Sequence, residues 1–238
     1  MNMQVDKKVA IMQPYFFPYI GYFQLINAVD IFIIYDNIKY TKKGWINRNR
    51  MLSHGSDTVF SLPLRKASDA LDIREREVAS DFNERKLLNQ LREAYRKAPY
   101  QEAVMKTVED VLAEDDRNLF VFVHKSIQRV CQYLKIPTKI VVSSTIDIDH
   151  SLQSQDKVVA LCQAVGADTY INAIGGVDLY SQEAFAEAGL KLRFLRSRRI
   201  EYAQFDAPFV PWLSIIDLMM FNSVDEIHEQ LSCGYDLI

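Results

Sequence analysis

Residues 9–35 read VAIMQPYFFPYIGYFQLINAVDIFIIY, and this stretch decides the fold of the chain. Its two apolar runs, residues 9–13 and 30–35, are short and continuous, as is typical of strands that are buried on both faces. Residues 21–28 between them favour a short helix. Two buried strands that are joined by a helix make a β-α-β unit, so the sequence predicts a parallel sheet.

The same alternation resumes after residue 137. The predicted strands there are residues 138–143, 168–172 and 190–195, and the predicted helices are residues 154–165, 181–188, 213–221 and 224–231. Residues from about 80–135 carry helical periodicity instead, with Asp81 and Glu84 as a capping box at its start. Residues 58–64 alternate weakly and favour one more strand.

The predicted fold class is therefore α/β, with a mostly parallel, Rossmann-like sheet and flanking helices. We expect a single domain over residues 1–238, in which the helical block at about 80–135 forms an insertion or a lobe. No repeat, low-complexity tract or linker divides the chain.

The composition is that of an ordinary globular protein, since 49% of the 238 residues are hydrophobic and 25% are charged. A net charge of −3 argues against a nucleic-acid coat. The apolar runs are too short to cross a membrane, and the polar residues 1–8 are not a signal peptide. Three widely spaced cysteines predict neither a metal site nor a structural disulfide. We expect a cytoplasmic protein.

Polar residues follow four of the predicted strands, at positions 13–14, 36, 143–144 and 172–176. In open α/β sheets, ligands bind beyond the carboxyl ends of the strands. We therefore expect Gln13, Asp36, Gly175 and Gly176 to meet at one edge of the sheet.

The segment after the first strand, residues 13–22, is rich in aromatic side chains and is stiffened by Pro14 and Pro18. So many rings cannot all turn inward from so short a piece. Some of them, such as Tyr15 and Tyr22, are therefore candidates to stack on a sugar or a base. The alternative is a packed hydrophobic layer under the sheet, and both can hold for different residues.

Residues 36–50 read DNIKYTKKGWINRNR and carry five basic side chains and one carboxylate. Arg48 and Arg50 can each grip a phosphate with two N–H groups, and Lys43 adds a mobile charge. Trp45 offers a flat face, and Asn47 offers an amide for hydroxyl groups. This mixture suits a phosphorylated, polyhydroxylated ligand such as a nucleotide sugar. A solvated basic loop and, with less support, a nucleic-acid contact are the alternatives.

Two carboxylates are candidates for catalysis. Asp36 has basic neighbours that favour its ionised form, so we favour orientation of the substrate for it, with base catalysis second. Asp217 stands three residues after Ser214 in an otherwise apolar helix. A buried carboxylate needs a partner, and we expect a cation from the basic segment; a capping interaction is the alternative.

Four motifs together resemble the WbqC-like family. They are QPYFFPYIGYF at residues 13–23, Asp36 with KGWINRNR at residues 43–50, YIN at residues 170–172 with GG at residues 175–176, and FVPWLSIID at residues 209–217. The resemblance extends over about residues 8–222. It implies a product of bacterial surface-polysaccharide gene clusters, such as those for O-antigen, and hence a nucleotide-linked sugar as the ligand.

The resemblance also nominates site residues, position by position. They are Gln13, Tyr15, Tyr22, Asp36, Lys43, Trp45, Asn47, Arg48, Arg50, Gly175, Gly176, Ser214 and Asp217. The family often has a histidine before the glutamine of the first motif, where this chain has Met12. A catalytic histidine at that position would therefore be missing here.

The resemblance and the residues together predict a transferase that acts on a nucleotide-linked amino sugar, by N-acyl or aminoacyl transfer, such as glycyl transfer, to the sugar amine. A nucleotidyl- or adenylyl-transferring enzyme and a non-catalytic nucleotide-sugar-binding accessory protein stay open. The implied partners are the nucleotide-linked sugar and a donor, with ATP, an activated acyl donor or a charged tRNA as the options. The sequence contains no metal-binding motif and we expect no membrane partner; it leaves the metal requirement and the oligomeric state open.

Overall fold

The computed structural model of the protein describes residues 6–238. The prediction that residues 1–8 are not a signal peptide therefore falls mostly outside the described residues. The strands are β1 (Lys8–Met12), β2 (Ile31–Ile34), β3 (Arg48–Ser53), β4 (Ser56–Ser61), β5 (Lys139–Val142), β6 (Thr169–Ala173), β7 (Lys191–Ser197) and β8 (Tyr235–Leu237). The helices are α1 (Ile20–Asn27), α2 (Glu84–Ala94), α3 (Gln101–Leu112), α4 (Leu119–Tyr133), α5 (Ser154–Ala164), α6 (Gln182–Glu187), α7 (Ile215–Phe221) and α8 (Val224–Cys233).

A six-stranded sheet in the order β5-β2-β1-β6-β7-β8 forms the centre of the fold. Every neighbouring pair in it is parallel except β7 and β8. The predicted α/β class and the mostly parallel sheet are therefore confirmed. The strand order reverses beside β1, so the ends of β1, β2 and β6 border the kind of crevice in which α/β proteins bind ligands.

Both faces of the sheet are covered, which explains the continuous apolar runs. Successive residues of β1 alternate between the two faces, so Ala10 packs in one core cluster and Val9 and Ile11 in the other. The larger cluster contains α1, α7, α8 and the helices of the block α2–α4. The smaller one contains α5 and Phe185 of α6.

The helical block begins two residues later than predicted. The side chain of Asn83 accepts a hydrogen bond from the amide of Lys86 and caps α2, whereas Asp81 lies in the preceding turn. The predicted capping box of Asp81 and Glu84 is therefore wrong, because asparagine is as good an N-cap as aspartate and stands closer to the first turn.

The strand predicted at residues 58–64 is also displaced, since it does not enter the parallel sheet. It is β4, which pairs with β3 in a separate antiparallel hairpin. His54 and Gly55 connect the two strands, and both have positive φ, the conformation of the tight hairpin turns that match strand twist. The segment predicted as a basic loop therefore ends in a strand.

Within residues 6–238, no helix is long and apolar enough to cross a membrane. Cys131 and Cys162 are buried free thiols, and Cys233 is an exposed one.

Candidate functional site

A large open cleft lies beyond the carboxyl ends of β1 and β6. Its volume is about 1150 Å³, and we call it the polar cleft because amide, hydroxyl and charged groups line it. Gln13, Tyr15, Gly175 and Gly176, four of the residues predicted for the site, are among its lining residues. The parallel sheet brings them together because the carboxyl ends of neighbouring parallel strands lie side by side.

A second compartment, the aromatic cavity, adjoins the polar cleft. It has a volume of about 380 Å³ and is lined by Tyr15, Tyr22, Trp45, Arg50 and Trp212, among others. Tyr15 lines both compartments, as do Met12 and Ala173. The two compartments therefore meet at Tyr15.

The aromatic segment divides between the two roles that the sequence left open. Phe16 and Phe17 are buried in the core, whereas Tyr15, Tyr19 and Tyr22 line the aromatic cavity. The hydroxyl of Tyr22 donates to the carbonyl of Gln13 at 2.9 Å, but the hydroxyl of Tyr15 has no hydrogen-bond partner among the described residues. Tyr15 is therefore the phenol in this segment that is free to bind a ligand.

The basic segment is held by its own main chain. The Nη2 of Arg48 donates to the carbonyl of Lys43 at 2.7 Å, and its Nε donates to that of Gly44 at 3.0 Å. The Nη2 of Arg50 donates to the carbonyl of Trp212 at 2.9 Å, and its Nη1 pairs with Asp57 at 3.1 Å. Each guanidinium also lies over Trp45, with its Cζ less than 6 Å from the ring centroid (5.7 and 5.4 Å). The two arginines thus position the tryptophan.

The other residues nominated in the segment lie outside both compartments. Lys43 is exposed and lines neither. The amide of Asn47 donates to the carbonyl of Leu62 and accepts from the hydroxyl of Tyr40, both at 2.8 Å. Asn47 therefore holds the segment to the end of β4.

Asp36 joins the end of β2 to the residues after β5. Its Oδ1 accepts from the hydroxyl of Ser143 at 2.9 Å and the amide of Ser144 at 3.0 Å, and its Oδ2 accepts from the hydroxyl of Ser144 at 2.6 Å. The side chain is buried and does not line the polar cleft, although its neighbour Asn37 does. The carboxylate is thus engaged by three donors inside the protein.

Asp217 lies in the core, away from both compartments. Its donors are the hydroxyls of Tyr202 at 2.6 Å and Tyr95 at 2.9 Å and the amide of Gln204 at 2.7 Å. The expectation of a cationic partner from the basic segment is wrong, because three neutral donors supply the hydrogen bonds that a buried carboxylate needs. Burial raises the pKa of Asp217, against the effect of these hydrogen bonds.

Ser214 is the N-cap of α7. Its hydroxyl donates to the carbonyl of Phe17 at 2.7 Å and accepts from the amide of Ile216 at 3.2 Å. The residue is buried and lines neither compartment. It ties the start of α7 to the aromatic segment.

The sequence interpretation missed Lys157, a buried lysine of α5 that lines the polar cleft. Its signal was present, since it stands four residues before the buried Leu161 and therefore on the inward face of the helix. Its Nζ donates to the carbonyls of Asn37 and His150 over long distances of 3.4 and 3.5 Å. Burial lowers the pKa of Lys157, while the carboxylates of Asp72 and Asp36 act in the opposite direction.

Asp72 was also missed, and Asn172 was expected at this edge as part of residues 172–176 but was not nominated for the site. Asp72 is the N-cap of the 3-10 turn Ile73–Glu75, and no other carboxylate of residues 6–238 lines the polar cleft or the aromatic cavity. Asn172 is buried at the end of β6, where its Oδ1 accepts from the amide of Ala173 at 2.8 Å. The N–H groups of Asn172 are therefore left for a ligand in the cleft.

The two glycines after β6 differ in what surrounds them. A Cβ at Gly176 would lie 2.3 Å from Nδ2 of Asn172, whereas a Cβ at Gly175 would meet no atom within 4 Å. Gly176→Ala should therefore displace the Asn172 amide and lower the unfolding free energy by about 1 kcal/mol, the value of one buried hydrogen bond. Urea denaturation measures this. Gly175→Ala is the control. Equal losses of unfolding free energy in the two variants would show that the space at Gly176 is not what keeps the Asn172 amide in place.

Within residues 6–238, no group of three or more histidine, cysteine, aspartate or glutamate side chains is arranged to hold a metal ion. His150 is fully engaged, because Nδ1 contacts the amide of Asn37 and Nε2 contacts the carbonyl of Ile146, each at 3.0 Å. The lining supplies phenols, amides, hydroxyls, the ammonium groups of Lys39 and Lys157, the guanidinium of Arg50 and the carboxylate of Asp72.

Comparison with known proteins adds three findings. The sequence profile of the WbqC-like protein family matches residues 13–229. A relative from Mycobacterium tuberculosis (strain ATCC 25618 / H37Rv), described as "Uncharacterized protein Rv1507c", is 29% identical over 219 residues, which cover 91% of this chain and 94% of the relative. No solved structure matches the chain.

Proposed function

The chain belongs to the WbqC-like protein family, which is linked to bacterial surface-polysaccharide gene clusters; on this premise we propose that it is a transferase of surface-polysaccharide biosynthesis. Its substrate is a nucleotide-linked amino sugar, and the reaction transfers an acyl or aminoacyl group, such as glycyl, to the sugar amine. The reaction would take place in the cytoplasm.

One observation carries the proposal: an aromatic cavity and a polar cleft meet at the carboxyl edge of a parallel sheet. A nucleotide sugar has the same two characters, because its base and the faces of its sugar ring are apolar while its hydroxyls and phosphates are polar. Trp45, Trp212 and Tyr22 would contact the base or the sugar ring. Gln13 and Asn172 would bind hydroxyls or phosphates.

The reacting atoms would meet near Tyr15, where the two compartments join. The neutral sugar amine attacks the donor carbonyl, a C–N bond forms, and the carbonyl oxygen takes up the electron pair. Burial raises the pKa of Tyr15, which keeps the phenol protonated and able to donate to that oxygen. The oxyanion then reforms the carbonyl as the donor's leaving group departs with the bond electrons.

The attacking amine must also lose a proton. Asp72 suits this role better than Asp36 or Asp217, since it lines the polar cleft. The carboxylates of Asp36 and Asp217 accept hydrogen bonds inside the protein. We propose that the Asp72 carboxylate accepts the proton from the nitrogen after attack, when that nitrogen is strongly acidic. Asp36 would act as a positioning residue, since its bonds to Ser143 and Ser144 fix the main chain next to Asn37, which lines the polar cleft.

Binding of the substrate class is the first test. At a hundredfold excess over Kd, a ligand stabilises by about 2.7 kcal/mol, so UDP- or dTDP-linked amino sugars should raise Tm by roughly 5–10 °C. Trp45→Ala should reduce this shift by removing the ring that lines the aromatic cavity. Val59→Ala, on the exposed outside of the hairpin, is the control.

Turnover is the second test. Wild-type protein with the nucleotide amino sugar, glycine and ATP, or with glycyl-tRNA, should give a product heavier by one glycyl residue in mass spectrometry. A Tm shift with ATP and magnesium but with no nucleotide sugar would favour nucleotidyl transfer instead. Binding of the sugar without turnover of any acyl donor would indicate an accessory protein.

A further inference from the structure

Lys157 carries a positive charge that the protein does not neutralise by contact. The side chain is 7% exposed, yet no carboxylate of residues 6–238 forms an ion pair with its ammonium group. Its two hydrogen bonds, to the carbonyls of Asn37 and His150, are at the long limit of the usual range. Buried charges are normally paired, so a lysine kept in this state indicates a ligand that supplies the missing anion.

The surroundings of the ammonium leave one side for that ligand. Asp72 and Asp36 act on it through space, and Arg74 opposes them. Arg74 itself lies 3.8 Å from a carboxylate oxygen of Asp36 and 4.0 Å from one of Asp72, so it shares these two carboxylates. The ring centroid of Tyr35 lies 5.7 Å from Nζ, and both ring nitrogens of His150 are engaged by Asn37 and Ile146. The remaining side is the polar cleft.

We propose that Lys157 binds the diphosphate group of the substrate in the polar cleft, with the amides of Gln13 and Asn172 as further donors. This inference rests on the proposed function for the identity of the anion's carrier. Lysine suits the role because an ammonium is a compact charge that commonly binds phosphate oxygens. None of the three side chains has to break an ion pair in order to bind.

In this assignment the diphosphate binds away from the basic segment, residues 36–50, which the sequence favours as the anion site. Arg48 and Arg50 donate to main-chain carbonyls and lie over Trp45, and Lys43 is outside both compartments. Arg48 lines neither compartment, and Arg50 lines only the aromatic cavity and already pairs with Asp57. Lys157 lines the polar cleft, and its long hydrogen bonds are weak.

Titration calorimetry with inorganic pyrophosphate, UDP and dTDP tests the assignment on the full-length protein. Lys157→Met, which keeps the length of the side chain, should weaken all three by roughly tenfold or more, as expected for one charge-assisted hydrogen bond. Pyrophosphate separates a site for the free anion from one that also needs the nucleoside. The exposed lysine Lys97 is the matched control, and Lys97→Met should bind all three like the wild type.

A stability measurement separates binding from folding. Burial lowers the pKa of Lys157, so below that pKa the buried ammonium costs folding free energy, and Lys157→Met should have a Tm at or above that of the wild type. A structural lysine would give the opposite result, a lower Tm with unchanged affinity. If Lys157→Met does not fold, Lys157→Gln replaces it in the titrations.

Two titration results overturn the inference. Either the wild type binds none of the three ligands, or Lys157→Met binds them as the wild type does. The proposed function can fail separately. If diphosphate binding depends on Lys157 but no acyl group is transferred to any amino sugar, the inference stands and the transferase proposal is excluded. If Lys157→Met catalyses acyl transfer at the wild-type KM, the transferase proposal stands and the inference is excluded.

Discussion

Tyr15→Phe should lower kcat/KM for acyl transfer by two to three orders of magnitude, roughly the effect of removing one oxyanion donor. The change removes one oxygen atom and leaves the ring that lines both compartments. Affinity for the nucleotide sugar should therefore change by less than about tenfold, because no contact of the ring is lost. The loss should appear in kcat, since the phenol donates to an oxygen whose charge develops only during the reaction.

Steady-state kinetics and calorimetry on the same preparations check this result. Tyr133→Phe, on α4 and outside both compartments, is the matched control and should behave as the wild type. The pH profile gives a second readout. Because the pKa of Tyr15 lies above its usual value of 10.0, no loss of activity from its ionisation should occur below pH 10. A Tyr15→Phe variant with kcat within threefold of the wild type would exclude the role.

Asp217→Ala should lower the unfolding free energy by about 3–5 kcal/mol, although the residue lies outside the cleft. The carboxylate holds the hydroxyls of Tyr95 and Tyr202 and the amide of Gln204. Removing it leaves three buried donors without a partner. The hydroxyl of Tyr95 also accepts from the amide of Leu52 at 2.9 Å, so the damage would extend to β3.

Urea denaturation of Asp217→Ala, Asp217→Asn and the exposed-loop control Asp206→Ala measures this contribution. Asp217→Asn should lose less, because its oxygen still accepts the two bonds that Oδ1 accepts now. Asp206→Ala should stay within about 0.5 kcal/mol of the wild type. An Asp217→Ala protein as stable as the wild type would contradict this structural role. If that stable protein were also inactive, Asp217 would again be a candidate for catalysis.

The pH dependence has a definite sign. Burial raises the pKa of Asp217 in the folded state, so the folded protein binds the proton more tightly than the unfolded chain does. This contribution to stability is complete below the ordinary value of 3.8 and is lost as the pH rises through the folded pKa. Over that window, the unfolding free energy of Asp217→Asn should rise relative to that of the wild type.

Part of the site could be predicted from the sequence because it follows from strand ends. Gln13, Gly175 and Gly176 come directly after predicted parallel strands, and parallel pairing places such ends side by side. Two side chains of the aromatic cavity, Tyr15 and Tyr22, could also be predicted, since they belong to a segment with more rings than one face of the core can accommodate. The family resemblance reinforced these positions and is confirmed by the profile match over residues 13–229.

The remaining part depends on contacts between residues that are distant in the sequence. Arg50 looks like an anion binder in isolation, but it donates to the carbonyl of Trp212, which stands 162 residues later. Asp217 looks like a candidate for an ion pair, but Tyr95, which stands 122 residues earlier, supplies a neutral donor. Lys157 has no motif around it, and its candidate role comes from the lack, among residues 6–238, of a carboxylate in contact with its ammonium group.

The sequence by itself determined the parallel α/β sheet and the family, and it predicted the sheet edge at which the candidate site lies. These follow from periodicity and local motifs, which depend on neighbouring residues and on the general geometry of strands. The tertiary structure decided which polar groups are occupied inside the protein and which face the cleft. Burial and pairing are properties of the whole packed chain, so only the fold could distinguish Asp72 and Lys157, which line the cleft, from the polar residues that are bonded inside the protein.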